Sequence, residues 1–464
     1  MSTAAIVLAA GAGTRMKSKK PKVAHEILGK PLVNWVLDAA READVDKLVA
    51  VVGHGREYVA PLVEGVAEVV EQAEQLGTAH AVNICRDVFA GFEGSLLVLN
   101  GDCPLITPTT IRSLVQVREQ LQAGCVFLTM ELSDPTGYGR IVRDQKTDAV
   151  LGIVEHKDAT EAQRAIRECN AGFYCFDAVK LFDALTKVGS DNAQGEYYLT
   201  DVIELMRKAG DGVVGQLTEN PHECLGVNSR VQLAQATKIA QQRINSEHMA
   251  GGVTMVDPDQ VWIGPDVVIE QDVELLPQVM LMGDTFVGED SVIGPNTRLT
   301  DTRVGRGVRI DETVAIEAQV DDFATCGPRA YLRPGTHLCE HAKAGTHVEI
   351  KKSTIGKGSK VPHLSYIGDT TMGEGVNIGA GSITCNYDGK HKSATTIGDN
   401  VFVGSDTMMV APVTIGDGAI VGAGSVITHE VSADSLALTR PEQVEIDGWA
   451  RRKRELFAQE DQAE

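Results

Sequence analysis

A six-residue periodicity in the second half of the chain constrains its fold more than any other feature. Aliphatic residues first recur every six positions at Ile263, Ile269, Leu275, Leu281, Val287, Ile293 and Leu299. After slips and an irregular stretch the period returns at Ile355, Val361, Ile367, Met372 and Ile378, and again at Ile397, Val403, Met409, Ile415, Val421 and Ile427. Neither a helix nor a hairpin has this period. The pattern predicts a parallel β-helix of hexapeptide units, with aliphatic side chains in the core and small residues at the corners.

The first half of the chain has a different pattern, in which short apolar runs alternate with helical periodicity. Strands are predicted at 5–9, 47–52 and 95–99, and helices at about 31–42 and 109–122. This alternation predicts an α/β, Rossmann-like domain with a mostly parallel sheet. A polar stretch from Ser229 to Met249 predicts a linking helix with a solvated surface. We therefore expect domains at 1–228 and 251–440, a linker helix at 229–250 and a tail at 441–464.

Charge and cysteine usage exclude several classes of protein. The net charge of −21 argues against binding to nucleic acid or to a membrane surface, because both are polyanionic. The nine scattered cysteines form no C-x-x-C and predict neither a disulfide framework nor a zinc site. No stretch reaches the ~18 apolar residues that span a bilayer. We expect a cytoplasmic protein that acts on small molecules.

A glycine-rich loop follows the first predicted strand. Gly11 and Gly13 suit a turn whose amides cradle phosphate oxygens, and Arg15 and Lys22 add positive charge. The spacing of the glycines excludes a P-loop and departs from the dinucleotide-binding motif G-x-G-x-x-G. The alternative to a phosphate-binding loop is a plain turn between a strand and a helix. Asp102 follows another predicted strand, at the same edge of the sheet. Asp102 is either a ligand at this edge or a helix cap.

Polar residues that a β-helix core does not need mark the second half. These residues are Arg333, Lys351, His363, Tyr366, Asn377, Asn386, Tyr387 and Lys392. Some of them lie near 385–392, where a loop interrupts the periodicity, and such loops often carry function. The alternative is that His363 is an exposed turn residue and the β-helix is a scaffold.

The chain resembles one family from end to end. The run 8–16 with Pro21-Lys22 resembles the sugar-nucleotide pyrophosphorylases, as do the runs 72–78, 134–140, 154–158 and 192–201. With the hexapeptide half, the chain is similar to the bacterial bifunctional N-acetylglucosamine-1-phosphate uridylyltransferases/glucosamine-1-phosphate acetyltransferases. The resemblance implies a left-handed β-helix, and synthesis of the cell-wall precursor UDP-N-acetylglucosamine by acetylation followed by uridylyl transfer. Pro362, directly before His363, differs from the commonest sequence of this family at that position.

The resemblance also assigns roles in the first half. Arg15 and Lys22 are implied as catalytic phosphate-binding groups, and Asp102 and Asn228 as Mg²⁺ ligands, although Asn228 is also placed to cap a helix. UTP is the implied co-substrate. The implied binding residues for the nucleotide sugar are Leu8, Ala9, Ala10, Gly11, Lys22, Gln72, Gly77, Thr78, Asn100, Gly101, Asp102, Gly139, Glu155, Asn170 and Asn228.

In the second half, the resemblance implies that His363 is the base, with Glu349 either orienting it or holding its charge. The implied sugar-phosphate ligands are Arg333, Lys351, Tyr366, Asn377 and Lys392, and the implied acetyl-CoA ligands are Ala380, Asn386, Tyr387, Ser405, Ala423 and Arg440. A homotrimer with acetyltransferase sites at subunit interfaces is also implied. We expect surface positions for the other histidines, which are His337, His341, His347, His391 and His429. Two rivals remain: a monofunctional nucleotidyltransferase with a regulatory β-helix, and a trimeric scaffold with decayed sites.

Overall fold

A computed structural model describes residues 2–461 of the protein. The chain divides into two compact units. The first runs to Ser246 and includes Ile263–Pro265, and the second comprises Glu247–Trp262 and the residues from Asp266 onward. This division falls inside a helix at Arg230–Ala250, whereas the sequence analysis placed the whole of 229–250 between two domains. The expected domain limits remain a prediction.

A mostly parallel sheet forms the centre of the first unit, as expected. Its strands have the order β11-β7-β10-β6-β1-β4-β5, and β10 runs antiparallel to both of its neighbours. A β8–β9 hairpin extends from β10, and β2 and β3 form a separate pair. The strands are β1 (Thr3–Ala9), β2 (Glu26–Ile27), β3 (Lys30–Pro31), β4 (Lys47–Val52), β5 (Glu68–Glu71), β6 (Ser95–Asn100), β7 (Cys125–Glu131), β8 (Arg140–Arg143), β9 (Val150–Val154), β10 (Glu168–Asp177) and β11 (Val213–Leu217).

Helices cover both faces of this sheet because its central strands are apolar on both sides. In β1, Ala5 and Val7 belong to one buried layer, and Ala4 and Ile6 to the other. The helices of the chain are α1 (Leu32–Glu42), α2 (Arg56–Val63), α3 (Thr78–Asn83), α4 (Pro108–Leu121), α5 (Glu161–Arg164), α6 (Ala178–Leu185), α7 (Asp201–Lys208), α8 (Arg230–Ala250) and α9 (Trp449–Glu460), with short 3-10 helices at Thr14–Met16, Lys22–Ala24, Arg86–Phe89, Pro221–Cys224 and Pro258–Gln260.

The helix α8 is solvated on part of its surface, as expected, but another part of it is buried. A stripe along this helix is buried, comprising Ala236, Ala240, Gln241, Ile244 and Asn245. Two of these residues are polar and two are alanines, so the stripe gives little hydrophobic contrast in the sequence. Arg243 Nη2 donates a hydrogen bond of 3.0 Å to the carbonyl of Leu105. Among the described residues, no helix combines the length and apolar character that a bilayer crossing requires.

The second unit is a left-handed parallel β-helix, whose strands in the described part of the chain form three sheets, here called faces I, II and III. Face I comprises Thr254–Met255, Glu274–Leu275, Val292–Ile293, Arg309–Ile310, Thr325–Cys326, Lys343–Thr346, Lys360–His363, Asn377–Ile378, Phe402–Val403, Ile420–Val421 and Leu436–Ala437. Face II comprises Trp262–Ile263, Met280–Met282, Arg298–Thr300, Val314–Ile316, Tyr331–Leu332, Glu349–Lys351, Tyr366–Gly368, Ile383–Cys385, Met408–Val410 and Val426–Ile427. Face III comprises Val268–Ile269, Phe286–Val287, Arg303–Val304, Gln319–Val320, His337–Leu338, Thr354–Ile355, Thr370–Met372, Thr395–Ile397 and Val413–Ile415.

The stretch between Leu299 and Ile355, where the six-residue period fades, also belongs to the β-helix. The period slips because some sides of the coil are one residue shorter, as between Leu299 and Val304. Its buried core positions include Ala315, Cys326 and Ala344 in place of large aliphatics. Because of these small core residues and shortened sides, the six-residue period is not visible in the sequence of these coils.

We predict that Leu332→Ala destabilises the β-helix by about 2–5 kcal/mol, because this fully buried side chain would leave a cavity between coils. The matched control is Val268→Ala, at a side chain that is 55% exposed. Urea unfolding followed by circular dichroism measures both. Equal destabilisation by the two substitutions would contradict the assigned core.

Candidate functional sites

A cavity in the first unit opens at the carboxyl ends of β1 and β6. Its volume is about 380 Å³. The predicted binding residues that line it are Leu8, Ala10, Gly11, Lys22, Gln72, Gly77, Thr78, Asn100 and Asp102. Further lining residues, which the sequence analysis did not assign, are Val23, Gln75, Ala81 and Glu196. One cavity therefore collects side chains from positions far apart in the chain.

A buried cation occupies one end of this cavity. The Lys22 ammonium is hydrogen-bonded to Asp102 Oδ2 and donates to Asn228 Oδ1 at 3.1 Å. The side chains of Lys22 and Asp102 are only 19% and 13% exposed. Two hard oxygen donors thus converge on a single positive charge, and such donors suit Mg²⁺. The residues therefore fit a divalent ion, provided that the ammonium moves aside.

The alternative that these two residues only cap helices does not agree with the structure. Thr107 caps α4, because its side chain accepts a hydrogen bond from the Thr110 amide. At the start of α8, Ser229 Oγ accepts from the Gln232 amide at 3.2 Å, while Asn228 Oδ1 faces Lys22. Asp102 and Asn228 are thus available to a ligand.

The glycine loop closes tightly over Lys22. Gly13 has φ +62°, and a Cβ there would lie 2.7 Å from the Lys22 Cβ, so glycine is required on both counts. The structure does not place Arg15 in the cavity lining: it is exposed in Thr14–Met16, whereas Met16 is buried and anchors that turn. Ala9 is buried behind the cavity.

Backbone contacts shape the opposite end of the cavity. Gln72 Nε2 donates to the Gly77 carbonyl at 3.1 Å. Gly77 has φ +113°, and a Cβ there would lie 2.5 Å from the Tyr197 carbonyl oxygen. Thr78 Oγ1 accepts from the Leu199 amide at 3.0 Å. Gln75 Nε2 donates to the Ala10 carbonyl at 3.0 Å, which ties this end to the glycine loop. Rigid amide groups therefore surround the space, as recognition of a planar base requires.

A second cavity, of about 160 Å³, adjoins the first and shares Leu8, Thr78 and Asn100 with it. Two predicted sugar ligands line it, Glu155 and Asn170. Gly139 lies beside them, since a Cβ there would be 3.6 Å from both Glu155 Oε1 and Asn170 Cβ. Gly101 lies behind the shared wall, where its amide donates to the Leu8 carbonyl at 3.0 Å.

Asn170 and Glu155 are each held in place by neighbours that the sequence analysis missed. Asn170 Nδ2 donates to Tyr174 Oη at 2.6 Å, across an irregularity in the β10–β7 pairing. Thr200 Oγ1 donates to Glu155 Oε1 at 3.1 Å. Tyr174 and Thr200 belong to a strand and to the start of a helix, where their residue types alone signal nothing. Burial raises the pKa of the Glu155 carboxyl, although the Thr200 hydrogen bond partly opposes this.

We predict that Glu155→Gln stabilises the ligand-free protein at pH 7. The folded-state pKa lies above the ordinary value of 4.5, so ionisation costs stability as the pH rises through and above that value. The glutamine keeps an acceptor for Thr200 without the charge. Urea unfolding at several pH values should show a difference that disappears below the ordinary pKa. Glu93→Gln, at an exposed position, is the control, and an advantage for Glu155→Gln that persists at acidic pH would contradict the assignment.

The second unit carries a cluster of positive charges around Asp369. Lys351 Nζ donates to both carboxylate oxygens of Asp369, at 3.1 and 3.0 Å, and Asn386 Nδ2 donates to Oδ2. A cavity of about 560 Å³ is lined by Lys351, Asp369 and Lys392 together with Gly335, Lys352, Ser353, Thr354, Thr370, Thr371, Ser393 and Ala394. Asn386 Nδ2 also lies 3.5 Å from Tyr366 Oη.

The charges in this cluster influence one another. Burial acts to lower the pKa of Lys351, but hydrogen bonds to Asp369 and Lys392 and the charge of Asp369 together raise that pKa. Lys351, through a hydrogen bond and its charge, lowers the pKa of Lys392. The ammonium of Lys392 is therefore held against a second cation, and an anionic ligand would relieve that repulsion.

Lys392 reaches this position because the loop after Cys385 folds back as a small hairpin. Tyr387 and Lys392 form an antiparallel bridge, and the Ser393 amide donates to the Asn386 carbonyl at 2.9 Å. Tyr387 is 59% exposed, and its hydroxyl donates to the Gly389 carbonyl at 2.6 Å. The interruption in the six-residue period thus delivers a cation to the basic cluster.

Arg333 lies one coil before Lys351, on face II, because Leu332 pairs with Ile350. Arg333 Nη1 donates to Glu349 Oε1 at 2.9 Å. The structure therefore pairs Glu349 with Arg333, whereas the sequence analysis expected it to orient His363 or to hold its charge. The reason is register: Glu349 pairs with Tyr366 on the next coil, while His363 pairs with Thr346.

His363 heads a column of residues at the same corner of successive coils. Lys360, Asn377, Phe402 and Ile420 are paired in register on face I. Counting three residues onward from each gives His363, Ala380, Ser405 and Ala423. His363 is exposed, and Arg440 Nη1 donates to the Ala423 carbonyl at 3.1 Å. The coils thus align four residues with predicted roles that together span 60 positions of the sequence, from 363 to 423.

Comparison with known proteins gives matches in both units. A model of the MobA-like NTP transferase domain matches residues 5–168, and a model of the bacterial transferase hexapeptide (six repeats) matches residues 394–429. The bifunctional protein GlmU of Streptomyces avermitilis is 50% identical over 97% of this chain and 94% of that protein. Its counterpart in Streptomyces coelicolor is 51% identical over the same shares. That of Listeria innocua is 47% identical over 96% of this chain and 98% of that protein.

Proposed function

Because this chain belongs to the family of the bifunctional protein GlmU, with 50% identity over 97% of its length to one member, we propose that it makes UDP-N-acetylglucosamine at two separate active sites. The first unit transfers the uridylyl group of UTP to N-acetylglucosamine-1-phosphate. The second acetylates glucosamine-1-phosphate from acetyl-CoA and so supplies that substrate. The observation that supports two activities is the presence of two clusters of buried or paired charges, each beside a cavity.

In the uridylyltransferase, the larger cavity takes the nucleotide and the smaller one the sugar. The sugar-phosphate oxygen attacks the α-phosphorus of UTP, a new P–O bond forms, and the bond to the β-phosphate oxygen breaks to release pyrophosphate. Lys22 and the amides near Gly11 neutralise phosphate charge, and Arg15 approaches from the exposed loop. Glu155 and Asn170 hold the sugar. Catalysis then consists mainly of positioning and charge neutralisation.

Asp102 and Asn228 would hold Mg²⁺, whose charge stabilises the phosphate oxygens during transfer. Both side chains already bind the Lys22 ammonium. With these two oxygens bound to the metal ion, the Lys22 ammonium would face the phosphates, where its charge is needed. The same two oxygens would thus bind a cation with and without substrate.

We predict that Asp102→Asn lowers uridylyl transfer at least about 100-fold, because it removes the negative charge that balances the cation. Acetyl transfer by the same variant should remain normal. Pyrophosphate release and CoA release measure the two activities. Asp87→Asn, at an exposed acidic residue, is the control, and near-normal pyrophosphate release from Asp102→Asn would remove Asp102 from the metal site.

In the acetyltransferase, the basic cluster seats the phosphate of glucosamine-1-phosphate. Arg333, Lys351 and Lys392 provide the positive charges, and Tyr366 and Asn377 contact the sugar. The substrate amine attacks the thioester carbonyl of acetyl-CoA, a C–N bond forms, and the C–S bond breaks. His363 accepts the amine proton, which then passes to the departing thiolate.

Acetyl-CoA would lie along the column formed by Ala380, Ser405 and Ala423, where backbone groups are regularly spaced. Asn386 and Tyr387 would contact it from the loop, and Arg440 would pair with its phosphates. The column begins at His363, so the thioester would reach the base. The register that aligns these residues supports this arrangement.

We also propose that the β-helix assembles as a homotrimer with shared acetyltransferase sites. Its outer surface carries large apolar side chains in regular rows, including Phe402 (50% exposed), Ile420 (48%), Val426 (47%) and Leu436 (65%). Rows of this kind usually mark protein interfaces. His363 is exposed in a single chain, and a neighbouring subunit would enclose it.

We predict that His363→Ala lowers acetyl transfer about 10²–10⁴-fold, the usual contribution of a general base. Uridylyl transfer should stay unchanged, because the variant leaves the first unit intact. CoA thiol release with glucosamine-1-phosphate measures the loss. His429→Ala, at an exposed histidine, is the control. Full acetyl transfer by the His363 variant would show that His363 is not the base, and absence of CoA release from the unsubstituted protein would favour the rival in which the β-helix is only regulatory.

A further inference from the structure

A group of metal-binding side chains lies on face III, apart from the residues assigned to either reaction. Asp321, His337 and Cys339 each offer one ligand atom, and these atoms lie within 4.8 Å of one another. His337 Nε2 is 2.7 Å from Asp321 Oδ2 and 4.0 Å from Cys339 Sγ. Neither proposed reaction uses any of the three residues.

The coil register produces this cluster. Gln319 pairs with His337, and Val320 with Leu338, so Asp321 lies beside Cys339 on the next coil. Leu338 is buried in the core, and side chains alternate along a strand, which puts His337 and Cys339 on the same outer side. The three ligands therefore come from adjacent positions on two neighbouring coils.

The geometry favours metal binding over activation of the thiol. In a Cys-His-Asp triad, the carboxylate and the thiol contact different nitrogens of the imidazole ring. Here Nε2 faces both Asp321 and Cys339. Around a tetrahedral ion with Zn–N, Zn–O and Zn–S bonds of about 2.0–2.3 Å, neighbouring ligand atoms lie about 3.3–3.5 Å apart. Small side-chain shifts would bring these three atoms to that spacing.

The surroundings support an ion and leave room for a fourth ligand. Gln319 Nε2 donates to Asp321 Oδ1 at 2.8 Å and so orients the carboxylate, as groups behind metal ligands commonly do. The His337 and Asp321 side chains are each 33% exposed. Asp321 and Glu340 line a cavity of about 400 Å³, and Glu340 is itself paired with Lys357 at 2.7 Å. Asp321 therefore connects the three-residue cluster to this cavity.

We propose that Asp321, His337 and Cys339 bind a divalent transition-metal ion of the zinc class, with water as the fourth ligand. Thiolate and imidazole ligands select such ions over Mg²⁺. The ion would join two successive coils and stabilise the β-helix. Sequence analysis predicted no zinc site because it searched for closely spaced cysteines, whereas these ligands are separated by 16 and 2 positions.

Cobalt absorption tests the identity of the ligands. The full-length protein carrying Asp102→Asn, which weakens the proposed Mg²⁺ site, is stripped with a chelator and titrated with Co²⁺. We expect a thiolate-to-cobalt charge-transfer band that saturates at one ion per chain and disappears in Cys339→Ser. Cys385→Ser, at the other partly exposed cysteine, should retain the band. Absence of the band, or its persistence in Cys339→Ser, would overturn the proposal.

Zinc affinity, measured by competition with a chromophoric chelator, distinguishes a specific site from non-specific binding to the surface. We expect His337→Ala and Cys339→Ser to weaken binding at least about 10-fold, and Gln319→Leu to weaken it about 10-fold while keeping the cobalt band. His341→Gln, at a neighbouring exposed histidine, should bind as the unsubstituted chain does. Zinc should also raise the melting temperature only in chains that retain the three ligands. Equal affinity in all variants would overturn the proposal.

Discussion

The backbone hydrogen bonds between successive coils determine where the side chains of the second unit lie. Each strand has only a few residues, yet it pairs in parallel register with the next coil, as Glu349 does with Tyr366. A side chain is therefore about 4.8 Å from its counterpart one coil away. Through this register, residues that are far apart in sequence become neighbours, and the loop hairpin at Tyr387–Lys392 adds Lys392 to the cluster, where its charge is held near that of Lys351. Holding like charges together costs stability, and a bound phosphate would remove that cost.

In the first unit, the edge of the sheet brings together side chains that are far apart in sequence. Its strands end at a common edge, and the loops that follow β1 and β6 meet there. The Lys22 ammonium balances Asp102 within a cavity that amide side chains and glycines also line. Such an arrangement is prepared for polyphosphate, because the positive charge is already desolvated and the acceptors are already fixed. Burial also disfavours the ionised form of the Glu155 carboxyl, and hydrogen bonds from substrate hydroxyls would stabilise that form. In both units, therefore, charged groups are held in positions where binding of a ligand would stabilise the protein.

Much of the fold was predictable because its periodicities are strong. The aliphatic residues at six-residue intervals, such as Leu281 and Val421, are buried core positions as expected. The period could not identify Cys326 as a core residue, because cysteine there looks like a break. For the sites, residue types and family motifs indicated nine residues that line the first cavity, and the roles of these residues remain predictions. They missed contacts set by register and local turns: the pairing of Glu349 with Arg333, the exposed position of Arg15, and the His337 cluster.

The central claim is that one chain carries out two consecutive transfers. Its most direct test supplies the purified protein with glucosamine-1-phosphate, UTP, Mg²⁺ and isotope-labelled acetyl-CoA, and identifies the nucleotide sugar by mass spectrometry. We predict UDP-N-acetylglucosamine that carries one labelled acetyl group, with one CoA and one pyrophosphate released for each molecule formed. Formation of UDP-glucosamine without CoA release would show that the β-helix does not acetylate this substrate and would contradict the account.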